Sequence, residues 1–546
     1  MKIPIAAIAF LLTASASAQL APSGDATVER LLDRIVQREQ AFLQSLRGHT
    51  PLFETYIQET SAASPAGPED TMPTEDHYFL GRVRVGDTVG YEPLLERTTP
   101  PPPESRGGLL GLLSKSKIQP LRFLPRGFAQ MAILDLNGFD RRTYKFEYVR
   151  REFLGEVRCL VFDVMPQRAE PGRFQGRIWV EERDNNIVRF NGTYLPAPPP
   201  KNAPPEVYFH FDSWRVNTHG ADWIPAQIYV EEAGSPASVT PTRFKAQTRI
   251  WKYTTASANK LDELTQILIE SESGVRDQAA SRDVSPLESQ RAWERQAEEN
   301  VLARLEKGGL LAPPGPVDGV LNTVVNNLIV SAQLNIEARC RVLLTTPLET
   351  FSIGHTIVIS RGLIDVLPDE TSLALVLADE LSHIALGHPT PTQFAFHNQT
   401  MMSDGELFQH IHFERPAHEL DEAGQKTIEI MQASPYQTTG NAGLFLKALN
   451  SRMTALPRLL AANMGNQLAN ASALARLASF TAASPELEEA KLEQIAALPL
   501  GSRVKLDPAT GKITLTATKP LSLLSPREKM PFEVSPFAPY LVRASE

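Results

Sequence analysis

VLADELSHIALGH, residues 376–388, decides how this chain is read. The apolar residues Leu373, Leu375, Val376, Leu377, Leu381, Ile384, Ala385 and Leu386 surround most of a helix spanning 371–388, so that helix is expected to be largely buried. Polar groups on a buried helix need partners. Asp379 and His383 stand four positions apart, a rotation of about 400°, and point the same way with Glu380 beside them.

The pattern is one residue away from H-E-x-x-H. In the intact motif two histidines one turn apart bind zinc, and the glutamate between them polarises the metal-bound water. A third ligand comes from another helix, leaving one position open. Here Asp379 stands where the first histidine belongs. Zinc accepts carboxylate oxygen at about 2.0–2.2 Å, but an aspartate ends short of an imidazole nitrogen, so the metal would have to move toward the helix.

The rest of the chain sets limits on partners and place. Its 546 residues exceed one hydrophobic core, and 43 prolines against 32 glycines indicate many extended connections. MKIPIAAIAFLLTASASAQ at the start has Lys2, an apolar run and Ala16-Ser17-Ala18, which reads as a secretory signal over 1–18. The expectation is a secreted, periplasmic protein without a transmembrane segment. The formal net charge of −9, one unit more negative without Lys2, and the lack of basic runs argue against nucleic acid. Two cysteines, Cys159 and Cys340, allow either one bridge or two buried thiols.

Segment patterns divide the chain. Residues 19–60 are assigned to an N-terminal amphipathic helix segment, its helix read over 24–47 from Val28, Leu31, Leu32, Ile35, Phe42, Leu43 and Leu46 and expected to pack on its own protein. A Ser/Ala/Pro/Gly linker takes 61–76. Residues 77–260 are β-rich: IWVEERDNNIVRF forms a hairpin around Arg183–Asn186, and further runs rich in aromatic and β-branched residues follow. The proline tracts at 100–103 and 197–200 are loops or edges, and His210 and His219 read as structural. A second linker covers 261–285. Helices, a β-hairpin and the helix quoted above occupy 286–500. Residues 501–546 hold a hairpin around Asp507–Gly511 and an extended tail laid over the body.

Two resemblances follow from these residues. The β-rich segment, through the IWVEERDNNIVRF hairpin and the later tryptophan strands, resembles the LolA-like lipoprotein-sorting half-barrels, which implies an apolar groove for a lipid or acyl chain. The segment around 290–450 resembles the zinc metalloendopeptidases of the CAAX prenyl endopeptidase and HtpX family (peptidase family M, number forty-eight). The residues concerned are HTIVISRGLIDVL, the A-x-E-L-S-H-I-A-L-G-H helix and a later helix ending KTIEIMQASPY. The resemblance implies an α+β, multidomain chain: an antiparallel half-barrel-like domain plus a mostly α zincin-like (gluzincin) domain.

It also implies a third ligand from an E-x-x-A-D step. Aligned without gaps, that step puts Leu420 at the ligand position and Gly424 at the Asp position, with Leu420, Ala423, Thr427 and Ile430 facing inward. Glu419 is then the doubtful ligand, facing sideways. The metal set by resemblance is Asp379, His383 and Glu419, with Glu380 catalytic. His418, His410 and His412 are possible supplementary ligands, the last two alternating as in a strand. His388, five residues beyond His383, cannot share a metal with it from a straight helix and reads as structural. Without metal, Asp379 and His383 are expected to form a buried charge pair with a raised imidazole pKa.

The function expected is that of a degenerate family member: a pseudoenzyme that binds a polypeptide or lipoprotein client in envelope maintenance. One alternative is an active zinc endopeptidase with Glu380 as general base; another is a lipid or lipoprotein carrier. The cofactor is zinc if the site is active, or none.

Overall fold

The structure is a computed structural model. It describes residues 24–60, 73–95, 123–196, 209–219, 222–232, 243–254, 286–390, 408–437, 441–468, 471–487 and 503–516. The expected signal, the proline tracts, the 261–285 linker, the tail beyond 516 and the side chain of His219 lie outside them.

Ten strands form one antiparallel sheet: β1 (Leu52–Thr60), β2 (Pro73–Val85), β3 (Val89–Pro93), β4 (Tyr144–Leu154), β5 (Val157–Pro166), β6 (Phe174–Glu181), β7 (Ile187–Tyr194), β8 (Phe209–His219), β9 (Asp222–Glu232) and β10 (Arg243–Trp251). Their spatial order is 3-2-1-10-9-8-7-6-5-4. The hairpin read from sequence is β6–β7, turning at Asn185 with φ 62°, a left-handed conformation that asparagine tolerates.

Helix α1 (Gly24–Arg47) packs on the sheet as expected. Leu32, Ile35, Leu43 and Leu46 join Phe174, Phe190, Phe211 and Ile228 in one core, to which Phe128 and Leu134 add from the segment around α2 (Pro125–Gln130). At its centre Arg215 meets Glu39 of α1 through two 2.7 Å hydrogen bonds, both side chains being almost wholly buried. This face of the sheet is filled.

The helix runs over 24–47 as read, and only the rest of the 19–60 assignment is corrected: Leu52–Thr60 is a central strand flanked by β2 and β10. Tertiary burial overrides its polar content. Phe53 and Ile57 enter the α1 core, while Leu52 and Tyr56 face the second half of the chain.

That second half begins with α3 (Pro286–Gly308) and α4 (Pro316–Ser331), then a small sheet of β11 (Arg339–Leu343), β12 (Glu349–Ile353) and β13 (Thr356–Ser360). β13 runs parallel to β11 and antiparallel to β12. Ser360 caps α5 (Arg361–Val366) by accepting from Leu363 N at 3.2 Å. Helix α6 (Glu370–Leu386) follows, capped by Asp369, which accepts from Ser372 N at 2.8 Å. Helices α7 (Ala417–Ala433), α8 (Asn441–Arg452), α9 (Pro457–Leu460), α10 (Ala471–Arg476) and α11 (Ala478–Ala483) complete it. Between them lies β14 (Asn466–Gln467), which pairs with β12. The hairpin expected around Asp507–Gly511 is β15 (Val504–Leu506) and β16 (Ile513–Leu515).

The halves share one core and specific bonds. Glu54 of β1 accepts from Arg361 Nη2 at 2.8 Å and from Thr346 Oγ1 at 2.8 Å. Asp76 of β2 accepts from the backbone N–H groups of Arg458 and Leu459, each at 2.7 Å. Trp251 Nε1 donates to Gly309 O at 2.8 Å. Cys159 and Cys340 are both buried and are not joined in a disulfide.

Candidate functional site

Helix α6 is buried along most of its length, and its polar residues are held from three sides. Glu380 is 1% exposed and accepts from Thr350 Oγ1 of β12 at 2.9 Å. Burial is the largest influence on its carboxyl and the Asp379 charge adds to it; together they push the pKa up to about 7, against the Thr350 and Ser352 hydroxyls and the Arg415 charge.

Asp379 does not pair with His383. Its Oδ1 lies 3.2 Å from Thr427 Oγ1 of α7, and burial raises its pKa against the charge of Arg476. The expected buried Asp379–His383 pair is therefore absent, and so is the raised imidazole pKa. Burial, with Arg415 and His388 assisting, pulls His383 down to about 3, so its ring is neutral.

His388 is where the sequence reading needs its largest revision. A straight helix would carry it away, but α6 stops at Gly387, which adopts φ 71°, a conformation that costs other residues a Cβ clash. The chain reverses, His388 N donates to His383 O at 3.1 Å, and the two Nδ1 atoms come within 2.8 Å. His388 Nε2 faces Glu422 Oε2 at 3.3 Å.

Glu419 faces inward, contrary to the expected register. With α7 starting at Ala417, the buried positions are Glu419, Ala423, Gly424, Thr427, Ile430 and Met431, and Leu420 is only half-buried. His383, His388 and Glu419 have potential ligand atoms within 4.8 Å of one another. His410, His412 and His418 are exposed and join no such group among the described residues. His410 ends a helical turn and His412 follows in irregular backbone, so the expected strand alternation does not form.

Sequence reasoning missed Arg415. Its side chain is 4% exposed. Nη1 donates to Pro389 O at 2.6 Å and lies 3.4 Å from Glu419 Oε2, while Nη2 donates to Ser352 Oγ at 3.1 Å.

A short strap closes the open edge of β12. Glu349 Oε2 accepts from the N–H groups of Asn463, Met464 and Gly465 at 2.9, 2.8 and 3.2 Å. Asn466 then pairs with Thr350 and Gln467 with Glu349. On the strap's far side Met464 O accepts from Phe413 N at 2.6 Å, and Asn466 Oδ1 from Arg415 N at 2.7 Å. At Glu349 and Thr350 the edge along which an extended peptide could pair is taken by the chain itself.

Residues 318–434 match the model of peptidase family M48. That segment, from α4 to the end of α7, is what the chain has in common with the family. Peptidases of that family are generally zinc-dependent, so the donor set was weighed for zinc. His383 Nε2 is buried without a hydrogen-bond partner, an open donor as a ligand should be. The remaining groups do not fit. Asp379 is turned to α7, and Glu419 stands beside a guanidinium. His388 meets His383 at the other ring nitrogen, Nδ1 to Nδ1 at 2.8 Å, and not at the open Nε2.

No curated protein matches the chain. Solved structures similar to part of it include a LolA superfamily protein from Nitrosomonas europaea (11% identity, 42% of this chain and 96% of that one, TM-score 0.21). A putative outer membrane lipoprotein-sorting protein domain from Vibrio parahaemolyticus is similar at 10% identity (43% and 97%, TM-score 0.22). So is a DUF1329 family protein from Desulfovibrio piger, at 11% identity (42% and 94%, TM-score 0.21). Similarity at that level adds nothing to what the sheet itself shows.

Proposed function

We propose that the chain is a pseudo-peptidase: an M48 scaffold that engages a polypeptide or lipoprotein client without hydrolysing it. The observation that carries this reading is the orientation of Asp379. The residue in the first ligand position gives its carboxylate to Thr427 and stands apart from His383, His388 and Glu419. Two further features agree with it, the guanidinium against Glu419 and the strap on β12. The filled α1 face of the sheet counts against a lipid carrier.

A second reading, an active zinc endopeptidase, is favoured by one feature: Glu380 is buried beside the site with a pKa of about 7, suited to a general base. Fluorescently labelled, unfolded casein separates the two. The pseudo-peptidase raises its anisotropy and yields no fragments with or without added zinc, and Glu380→Gln behaves alike. Zinc-dependent fragments that vanish in Glu380→Gln would establish the second reading.

A further inference from the structure

Three acids and two arginines meet around α6, and their charges can be followed. Glu380, Asp379 and Glu419 bring negative charge into an apolar interior, where unpaired ions are costly. Arg415 answers on one side. It enters from the turn before α7 and is fixed by Pro389 O and Ser352 Oγ, with Glu419 Oε2 at 3.4 Å.

Arg476 of α10 answers on the other. Its Nη1 donates to Leu420 O at 2.7 Å, and its stem lies over Gly424, where any Cβ would come within 3.1 Å of Arg476 Cβ. The charge of Arg476 also bears on Asp379, so the two fall on one patch of α6 and α7. Two guanidinium charges equal the charge of one divalent ion.

We propose that Arg415, assisted by Arg476, takes the electrostatic place of a divalent metal in this site and keeps zinc out. A dication within bonding distance of Glu419 would stand beside a buried guanidinium that cannot lose its proton. Restoring a histidine at 379 is therefore not enough to restore a metal centre.

The proposal rests on the pseudo-peptidase reading, yet the two fail on different results: that reading falls to zinc-dependent cleavage, this one to a zinc affinity that ignores Arg415. The test is calorimetric titration of the full chain with zinc, with metal content after dialysis. Wild type retains no zinc. Asp379→His alone binds weakly, and Asp379→His/Arg415→Gln binds at least tenfold tighter, the glutamine keeping a donor toward Pro389 O while removing the charge. Equal affinity in the single and double variants overturns the proposal, as does about one zinc per wild-type chain. Circular dichroism checks folding. Asp379→His retains every Arg415 contact, so tight stoichiometric zinc in that variant is decisive against the proposal even where an Arg415 variant fails to fold.

Discussion

Glu380 shows how one buried residue carries a pH signature. Its folded-state pKa of about 7 lies above the 4.5 of a free glutamate, so the folded chain holds this proton to higher pH than the unfolded chain does. Between those values stability falls as pH rises, and above about 7 the full cost stands. Glu380→Gln removes the ionisation and keeps an acceptor for Thr350. At roughly 1.4 kcal/mol per pKa unit, the variant is expected to gain on the order of 1–3 kcal/mol near pH 8 and nothing near pH 4. Thermal melts at the two pH values check this, and a gain of equal size at both would refute it. The residue scale also shows what a sequence can disclose. Glu380 and His383 were legible because one helical turn fixes their relation. Arg415 was not, because its partners are a carbonyl, a serine hydroxyl and a carboxylate on three different segments. His388 was half legible: the glycine before it could have been read as a helix stop with a reversal of the chain.

At the level of elements, α1 is tied to the sheet by a charge pair set in an aromatic core. Arg215 lies 3.8 Å from the Phe42 ring centroid and bonds Glu39 twice. Removing one partner leaves the other charge buried and alone, which typically costs about 3–5 kcal/mol. Glu39→Ala is expected to destabilise the chain by that amount in urea unfolding, whereas Glu39→Leu/Arg215→Met loses far less; equal losses would show that packing, not charge, dominates. Strands β6 to β10 were readable from aromatic and β-branched runs and a polar turn. β1 was not, because it is buried on both faces and carries Glu54, Gln58 and Glu59 there, so no polar face alternates with an apolar one. The register of α7 failed for a related reason. A gapless alignment cannot see that the helix starts at Ala417, and one residue of shift turns a side chain by about 100°.

Across the whole molecule, the two halves are joined by a buried ion pair, Glu54 of β1 with Arg361 of α5. Glu54 and Arg361 are each 1% exposed at the side chain; Arg361 also faces Asp365 Oδ2 of its own half at 3.4 Å. Glu54→Ala is therefore expected to cost about 3–5 kcal/mol and to split a single calorimetric transition into two. Trp251, which bridges to Gly309, reports the separation by fluorescence. A variant that still melts in one step would mean that the shared apolar core suffices to couple the halves.

The strap over β12 has a consequence beyond the site it covers. Bare strand edges recruit strands from neighbouring molecules, and β12 is kept from doing so by two paired residues and a glycine whose Cβ would fall 2.2 Å from Thr350 O. On the pseudo-peptidase reading, the same two pairs that withhold this part of the edge from a client strand also withhold it from a second copy of the chain.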